Sequence, residues 1–370
     1  MGLKIAFMGI RGIPKGYSGF ETFVRELAPR LVERGHDVTV YGRSYHMEGA
    51  GDAYKGVRLV SLPTIRGKHL ETIVHTTLSV LHGFFRGYDI VYFCIVGNAP
   101  VVFVPRLAGA RVFLNVDGAD WQREKWGGFA RRYLKMCEWI APRAADVIVA
   151  DARVIQQKYE RLYGARSLFI PYGANILRDE GTEELEKHGL KKGEYILFVS
   201  RLEPENRADL LIEAYKKVRT DKKLVIVGGA PYGREYIHSL KDAADERVIF
   251  TGGVFDKGYR QLSCGAYLFT LPSAVDGTRP ALLDQLGFGN CVLVCGTPAN
   301  SEVVADHGVT FGPDNPVESL AAQLQRLIDS PEVVARYRAG AARRIKESYS
   351  WEMVTDMNER AFYEAVGERR

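Results

Sequence analysis

The residues best suited to chemistry lie between Ser273 and Val304. This stretch opens Ser273-Ala274-Val275-Asp276-Gly277-Thr278-Arg279-Pro280 and continues Ala281-Leu282-Leu283-Asp284, with Gly287 and Gly289 behind. Pro280 suits the first turn of a helix, where its missing N–H costs nothing. Leu282, Leu283 and Leu286 then follow at helical spacing, and the two glycines end the helix. The free N–H groups at such a helix start, from Thr278 to Leu282, make a site for a phosphate. Asp276 sits just before that end and Asp284 inside the helix, where carboxylates can accept hydrogen bonds from sugar or ribose hydroxyls. An Asp near a helix start also serves the helix dipole without touching any ligand.

A second stretch follows the first strand. Lys4 to Gly9 reads as a short buried strand, and the loop behind it carries Gly9, Gly12, Gly16 and Gly19. This spacing is not the dinucleotide G-x-G-x-x-G fingerprint, which disfavours an NAD-dependent oxidoreductase. Glycines here let backbone N–H groups approach a diphosphate, or simply turn the chain.

The elements that must position these loops alternate. Phe23 to Arg34 has apolar residues at helical spacing, and Asp37–Tyr41, Val57–Leu62, Ile90–Cys94, Arg111–Val116 and Asp146–Ala150 read as strands. Helices are expected at 68–81, 129–144 and 153–163. The alternation restarts with strands at 195–200, 224–227, 248–251 and 267–271, and helices at 207–218 and 232–243. Three closing helices follow from Val317 onward. The chain thus reads as two α/β halves, residues 1–175 and 176–350, joined near 172–193 by a charged, poorly periodic segment. Residues 351–370 form a last helix expected to pack back on the first half. Ligands of such sheets bind at the carboxyl ends of strands, and two such halves can face each other across a cleft.

Composition narrows the class. The chain has 370 residues, enough for two domains, with ordinary hydrophobic and charged content. Five cysteines, at 94, 137, 264, 291 and 295, show no zinc-site spacing and no even framework of pairs, which suits a reducing cytoplasm. No signal peptide is read at the start. The longest uncharged run, 90–105, is broken by Gly97, Asn98 and Pro100, and a span needs about 20 apolar residues. Residues 1–175 hold 24 Lys and Arg against 15 Asp and Glu, while the remainder hold 26 against 30. A basic first half points to an acidic partner, an anionic membrane face or a phosphorylated acceptor. The segments 82–86 and 126–135 mix Phe84, Phe85 and Phe129 with Arg131, Arg132 and Lys135, the pairing expected at a lipid interface. The same aromatics, with Leu134, would equally serve a core.

The layout resembles the GT-B architecture, two Rossmann-like α/β domains facing across a cleft, and the motifs resemble family 4 of the retaining nucleotide-sugar glycosyltransferases. That family carries two glutamates flanking seven residues; Asp276 and Asp284 hold the spacing here, each one methylene shorter. The resemblance implies that Asp284 holds the nucleotide ribose and that Asp276 lies beside the donor sugar. It implies further that Arg201 and Arg207, six apart after a strand, sit on the diphosphate. Two guanidinium groups there would offset leaving-group charge as the glycosidic bond breaks; otherwise they are surface arginines. Val254, in Thr251-Gly252-Gly253-Val254, marks the family's base-binding turn, and Gly19 and the Thr278-Arg279-Pro280-Ala281-Leu282 run complete the donor side. A narrower resemblance rests on Arg11-Gly12-Ile13-Pro14 with Gly19-Phe20-Glu21-Thr22, on Asn115-Val116-Asp117-Gly118, and on Leu202-Glu203-Pro204-Glu205-Asn206. These strings are similar to a bacterial rhamnosyltransferase-like subgroup that builds surface polysaccharides.

The resemblance implies a hexosyltransferase moving a sugar, L-rhamnose from dTDP-rhamnose among the candidates, to a lipid-linked or saccharide acceptor with retention. The leaving diphosphate would take the acceptor proton, so catalysis rests on positioning and charge. Asp117 is expected to touch a sugar hydroxyl or the acceptor, or only to form its Asp-Gly turn. Arg11 and Glu21 are acceptor-side candidates, though Glu21 equally suits a first-turn helix acid. No metal, other cofactor or nucleic-acid partner is expected. A cytoplasmic location is expected, peripheral on the inner face of the plasma membrane. Two further readings are a GT-B sugar-nucleotide epimerase and a non-catalytic sugar-nucleotide-binding protein.

Overall fold

The computed structural model describes residues 2–14, 18–67, 70–116, 121, 127–230 and 233–367. The chain divides into two compact units, residues 1–172 with 351–370, and residues 173–350.

The first unit runs β1 (Lys4–Met8), α1 (Gly19–Glu33), β2 (Asp37–Arg43), β3 (Ala53–Tyr54), β4 (Val57–Leu62), α2 (Glu71–Gly83), β5 (Ile90–Cys94), α3 (Val104–Leu107), β6 (Arg111–Val116), α4 (Gly128–Ala144), β7 (Val147–Ala150), α5 (Arg153–Tyr163) and β8 (Ser167–Phe169). Its sheet has the order β3-β4-β2-β1-β5-β6-β7-β8, parallel except for the short β3 against β4. Helices cover both faces of such a sheet, so its strands are apolar throughout rather than alternating. Phe7, Tyr92, Phe93 and Phe113 are accordingly wholly buried.

Helix α1 starts at Gly19, four residues ahead of the apolar stripe that begins at Phe23. Ser18 stands extended at the cap, its carbonyl takes the Thr22 N–H as the first helical bond, and its hydroxyl bonds the carboxylate of Glu21 rather than a backbone N–H.

The second unit runs α6 (Glu183–Lys187), β9 (Tyr195–Val199), α7 (Ala208–Lys216), β10 (Lys223–Val227), α8 (Arg234–Ala243), β11 (Val248–Gly252), α9 (Asp256–Gly265), β12 (Leu268–Leu271), α10 (Pro280–Gly287), β13 (Val292–Cys295), α11 (Pro298–Val304), β14 (Val309–Phe311), α12 (Pro316–Asp329) and α13 (Pro331–Ser348). Its sheet is fully parallel in the order β11-β10-β9-β12-β13-β14. Phe198, Leu211, Tyr215, Ile226, Leu293 and Phe311 lie in one buried cluster of this unit.

The last helix, α14 (Trp351–Gly367), belongs to the first unit. Trp351 meets Phe23 of α1, and Phe362 stands edge-on to Phe113 at 5.0 Å. Arg34 at the end of α1 binds Asp356 at 2.6 Å and Glu359 at 2.8 Å. Among the described residues no helix is long and apolar enough to cross a membrane.

Candidate active site

The order of the second sheet reverses between β9 and β12. From β9 the chain moves outward through β10 and β11, then returns to build β12, β13 and β14 on the other side. Loops leaving β9 and β12 therefore diverge, and a crevice at their carboxyl ends is where ligands of open α/β sheets bind. Both charged motifs of this half leave those two strands.

The loop after β9 carries Arg201 and Arg207. It is held by its own backbone: the Asn206 side-chain amide donates to the Arg201 carbonyl at 2.8 Å, and Ser200 and Leu202 donate to Val227 and Gly229 at 3.1 and 3.2 Å. Gly228 makes this possible. Its φ is +149°, and a Cβ there would stand 1.8 Å from the Ser200 carbonyl oxygen. Arg207 adopts the left-handed conformation, φ +57°, as the cap of α7. Such a conformation is uncommon for a residue with a Cβ and marks a position held by its surroundings. The Arg201 side chain is 45% exposed and pairs with Glu203 at 3.3 Å. Arg207 has no ion-pair partner among the described residues. Burial raises the pKa of the Cys295 thiol at the end of β13, and the Arg207 charge works against that rise.

The loop after β12 carries Asp276 and Thr278 and leads into α10. Ser273 ties it to the first loop: its hydroxyl donates to the Glu205 carbonyl at 2.9 Å, and Arg279 donates to that hydroxyl at 3.0 Å. Asn300 closes the third side, giving its amide to the carbonyls of Ser273 and Cys295 at 3.2 and 3.0 Å. Each such buried bond is worth on the order of 1 kcal/mol net, and considerably more is lost if one partner is left unpaired. Asp276 is half-buried, and Thr278 is buried. Pro280 is the first residue of α10 and Ala281 the second, while Arg279 occupies the cap. Leu282 departs from expectation. Its side chain is wholly buried, and its N–H already donates to the Arg279 carbonyl at 3.0 Å. A tightened first turn thus removes that N–H from the set expected to be free for a phosphate.

Asp284 lies one turn further on. The Tyr259 hydroxyl faces its Oδ2 at 3.4 Å, and burial, reinforced by the Asp284 charge, pushes the Tyr259 phenol far above its ordinary range. Tyr259 therefore stays a proton donor. Gln285 donates to Tyr259 and Ser263, and Asn290 donates to Gln285, so a buried amide network stands behind the carboxylate. Val254 follows β11 and packs toward Gly258, where a Cβ would stand 2.8 Å from its Cγ1. Arg201, Arg207, Val254, Asp276 and the start of α10 all follow carboxyl ends of strands in this one sheet. Ser273, Asn206 and Asn300, which join the loops, carry no chemical signal in the sequence beyond being short and polar.

In the first unit Glu21 is only 4% exposed. Its carboxylate receives the Arg11 N–H at 2.9 Å and the Ser18 hydroxyl. It is a tie that holds the loop after β1 onto the start of α1. Gly19 is the first residue of that helix. Gly9, with φ +90°, lets the same loop pass the end of β5: a Cβ there would meet the Cys94 carbonyl oxygen at 2.5 Å. Arg11 is exposed. Asp117 lies outside the described residues.

Residues 193–330 match the family described as Glycosyl transferases group 1, and residues 90–175 match a domain of unknown function. A GDP-mannose-dependent alpha-(1-6)-phosphatidylinositol monomannoside mannosyltransferase of Mycolicibacterium smegmatis is 26% identical over 310 residues, covering 77% of each chain. The protein is a glycosyltransferase of GT-B fold. Sucrose-phosphate synthase from Thermosynechococcus elongatus superposes with a TM-score of 0.85 over 99% of this chain and 100% of its own, at 17% identity. The Anabaena protein HepE, solved with UDP and glucose, superposes with a TM-score of 0.80 over 98% and 100%, at 16% identity. As a glycosyltransferase, the chain takes a nucleotide-sugar donor.

Proposed function

We propose that this glycosyltransferase is retaining and moves a sugar from a nucleoside diphosphate to a lipid-linked saccharide at an anionic membrane face. The observation that carries the donor half is the Ser273 hydroxyl bonded to the Glu205 carbonyl, which fastens the Arg201–Arg207 loop to the Asp276–Arg279 loop at the switch point. In this reading Arg201 and Arg207 bind the diphosphate, and the N–H groups at the start of α10 add their partial positive charge. Asp276 takes a donor-sugar hydroxyl and Asp284 the nucleotide sugar. The bond from the anomeric carbon to the β-phosphate oxygen breaks. The acceptor hydroxyl oxygen bonds to the same face of that carbon, and its proton passes to the leaving phosphate oxygen. The arginines carry the charge that develops there, so no metal is required. Acceptor recognition falls to the first unit, with Arg11 on the acceptor side, Glu21 holding its loop, and Asp117 reaching the donor sugar or the acceptor.

The first unit also offers a membrane-facing helix. On α4, Phe129 is 87% exposed, Trp139 54% and Met136 46%. Arg131, Arg132, Lys135 and Arg143 are exposed between them, and the helix's one acid, Glu138, is buried against Lys158 and Tyr163. Leu134, read beside them, belongs to the core. Phe85 at the end of α2 is 92% exposed. An aromatic and cationic face with no exposed acid suits anionic lipid. The mycobacterial relative's named acceptor, a phosphatidylinositol mannoside, agrees with such a location. The peripheral site would be the inner face of the plasma membrane.

Incubation with a panel of labelled sugar nucleotides, dTDP-rhamnose first, with and without a polyprenyl-diphosphate-linked saccharide, tests the reading. Transfer to the lipid with the anomeric configuration kept is expected, undiminished by a chelator. Interconversion of the free nucleotide sugar without acceptor, or binding without turnover, would overturn it.

A further inference from the structure

A second charged cluster lies wholly in the first unit, where the loop after β1 is laid on the end of β2. The Arg43 N–H donates to the Arg11 carbonyl at 2.7 Å, and a Cβ on Gly42 would stand 2.8 Å from the Gly12 Cα. Arg43 is 3% exposed; it pairs with Glu71 at 3.1 Å and donates to Thr72 at 2.8 Å, while its Nε finds no partner. His46 closes the single turn, Ser44–His46, that follows β2. Burial, then the charges of Arg11 and Arg43, hold its imidazole below the ordinary range. The Tyr45 ring lies 4.4 Å from that of His46, and the Arg66 guanidinium stacks on Tyr45 at 4.9 Å. Deeper in, His75 is wholly buried against the Gly42 backbone.

Three guanidinium groups and an imidazole therefore share one strand edge with two carboxylates. Glu71 is engaged by Arg43, and Glu21 by Ser18 and the Arg11 N–H. Arg11 and Arg66 are exposed and have no ion-pair partner among the described residues. Like charges gathered on a partly desolvated edge repel one another until an anion joins them, and planar guanidinium forks match the oxygens of a phosphoryl group.

We propose that this cluster binds a phosphoryl group carried by the acceptor. Arg11 and Arg66 meet the oxygens, Arg43 stands as fixed charge behind them, and Tyr45 with His46 forms the floor. The inference rests on the reading that the first unit takes the acceptor. It concerns a site separate from the donor residues, all but one of whose described members lie in the second unit.

The test is histidine-ring NMR on the full chain with UDP held saturating, so that the donor site is filled. Inorganic pyrophosphate is then titrated in. The His46 signals should move and its protonation midpoint should rise. Arg11→Gln and Arg66→Gln should each weaken the response about tenfold, as for one charged hydrogen bond lost. Phosphatidylcholine vesicles with and without a polyprenyl phosphate form the second arm; a response to the loaded vesicles as well names a lipid source, and a response to pyrophosphate alone names a soluble one. A motionless His46 in both arms would overturn the proposal, as would affinities in the two variants equal to that of the unsubstituted protein. So would a His46 shift produced by UDP alone that then blocks pyrophosphate. Because no transfer is measured, a failed transfer assay beside an intact His46 response would fault the proposed reaction and not this site.

Discussion

The loops at the carboxyl ends of the two sheets are organised in opposite ways. In the second unit the polar groups hold backbone to backbone. Asn206, Ser273 and Asn300 spend their hydrogen bonds on carbonyls, and Arg207 and Asp276 are left without ion-pair partners among the described residues. In the first unit charged side chains do the holding: Glu21 fastens its own loop, and Arg43 is engaged by Glu71 and Thr72. A scaffold built mainly of neutral bonds leaves Arg207 and Asp276 outside any ion pair among the described residues, although Arg201 pairs with Glu203, whereas a scaffold of charges is partly consumed by itself. The second edge is accordingly the better candidate for binding a diphosphate, and the first unit turns its surplus cations outward.

That contrast breaks most visibly on α4. Reversing Arg131, Arg132 and Lys135 to Glu removes three cations worth about 1 kcal/mol each at an anionic surface and adds three repelling charges. Association with anionic vesicles should fall by more than about a hundredfold, read by co-sedimentation, while UDP binding stays unchanged. Undiminished co-sedimentation would remove this helix from the membrane account.

Gly228→Ala probes the second edge. The Cβ would collide with the Ser200 carbonyl in a conformation that side chains rarely adopt, which costs about 2–3 kcal/mol or more. Thermal unfolding should drop by several degrees and UDP affinity should fall with it, because the Arg201 loop must move. A variant with unchanged melting and affinity would show that the loop is not held from beneath.

His75 sharpens the picture of the first edge. Burial, with Arg43 adding to it, lowers its pKa from 6.5 to about 4. The folded protein thus keeps it neutral while the unfolded chain takes up a proton below about pH 6.5. Its contribution is complete above that pH and is lost as pH falls toward 4, at up to roughly 1.4 kcal/mol per pH unit. His75→Asn should flatten the fall in stability over that window, measured by urea unfolding at stepped pH. An identical slope in the variant would assign the acid sensitivity to other groups.

Much of this architecture is legible in the sequence, because parallel strands buried on both faces give unbroken apolar runs such as Ile90–Cys94 and Leu224–Val227. Helix α9 is not. Its buried residues are Gln261, Leu262, Ser263 and Gly265, a single large apolar side chain among four, so no stripe is available to read. Strand β14 is three residues long, too short to show a period. The start of α1 is not legible because its first turn, from Gly19 to Thr22, precedes the apolar stripe, and a first-turn acid such as Glu21 looks the same whether it faces solvent or is buried. At the candidate site of the second unit the charged residues stand out by type and spacing. The hydrogen bonds that bring them together do not, since Ser273 and Glu205 are 68 positions apart. The state of the Leu282 N–H depends on whether the first turn of α10 tightens, and residue types alone do not decide that.

The central claim is that the loops after β9 and β12 together hold a nucleoside diphosphate through Arg201 and Arg207. Calorimetric titration of the full chain with UDP and with dTDP, compared with Arg201→Ala, Arg207→Ala and the double variant, tests it most directly. Each single change should cost roughly 1.5–3 kcal/mol, as for a charged hydrogen bond lost, with the uncharged nucleoside far less affected. Unchanged diphosphate affinity in the double variant, with its melting temperature intact, would contradict the account.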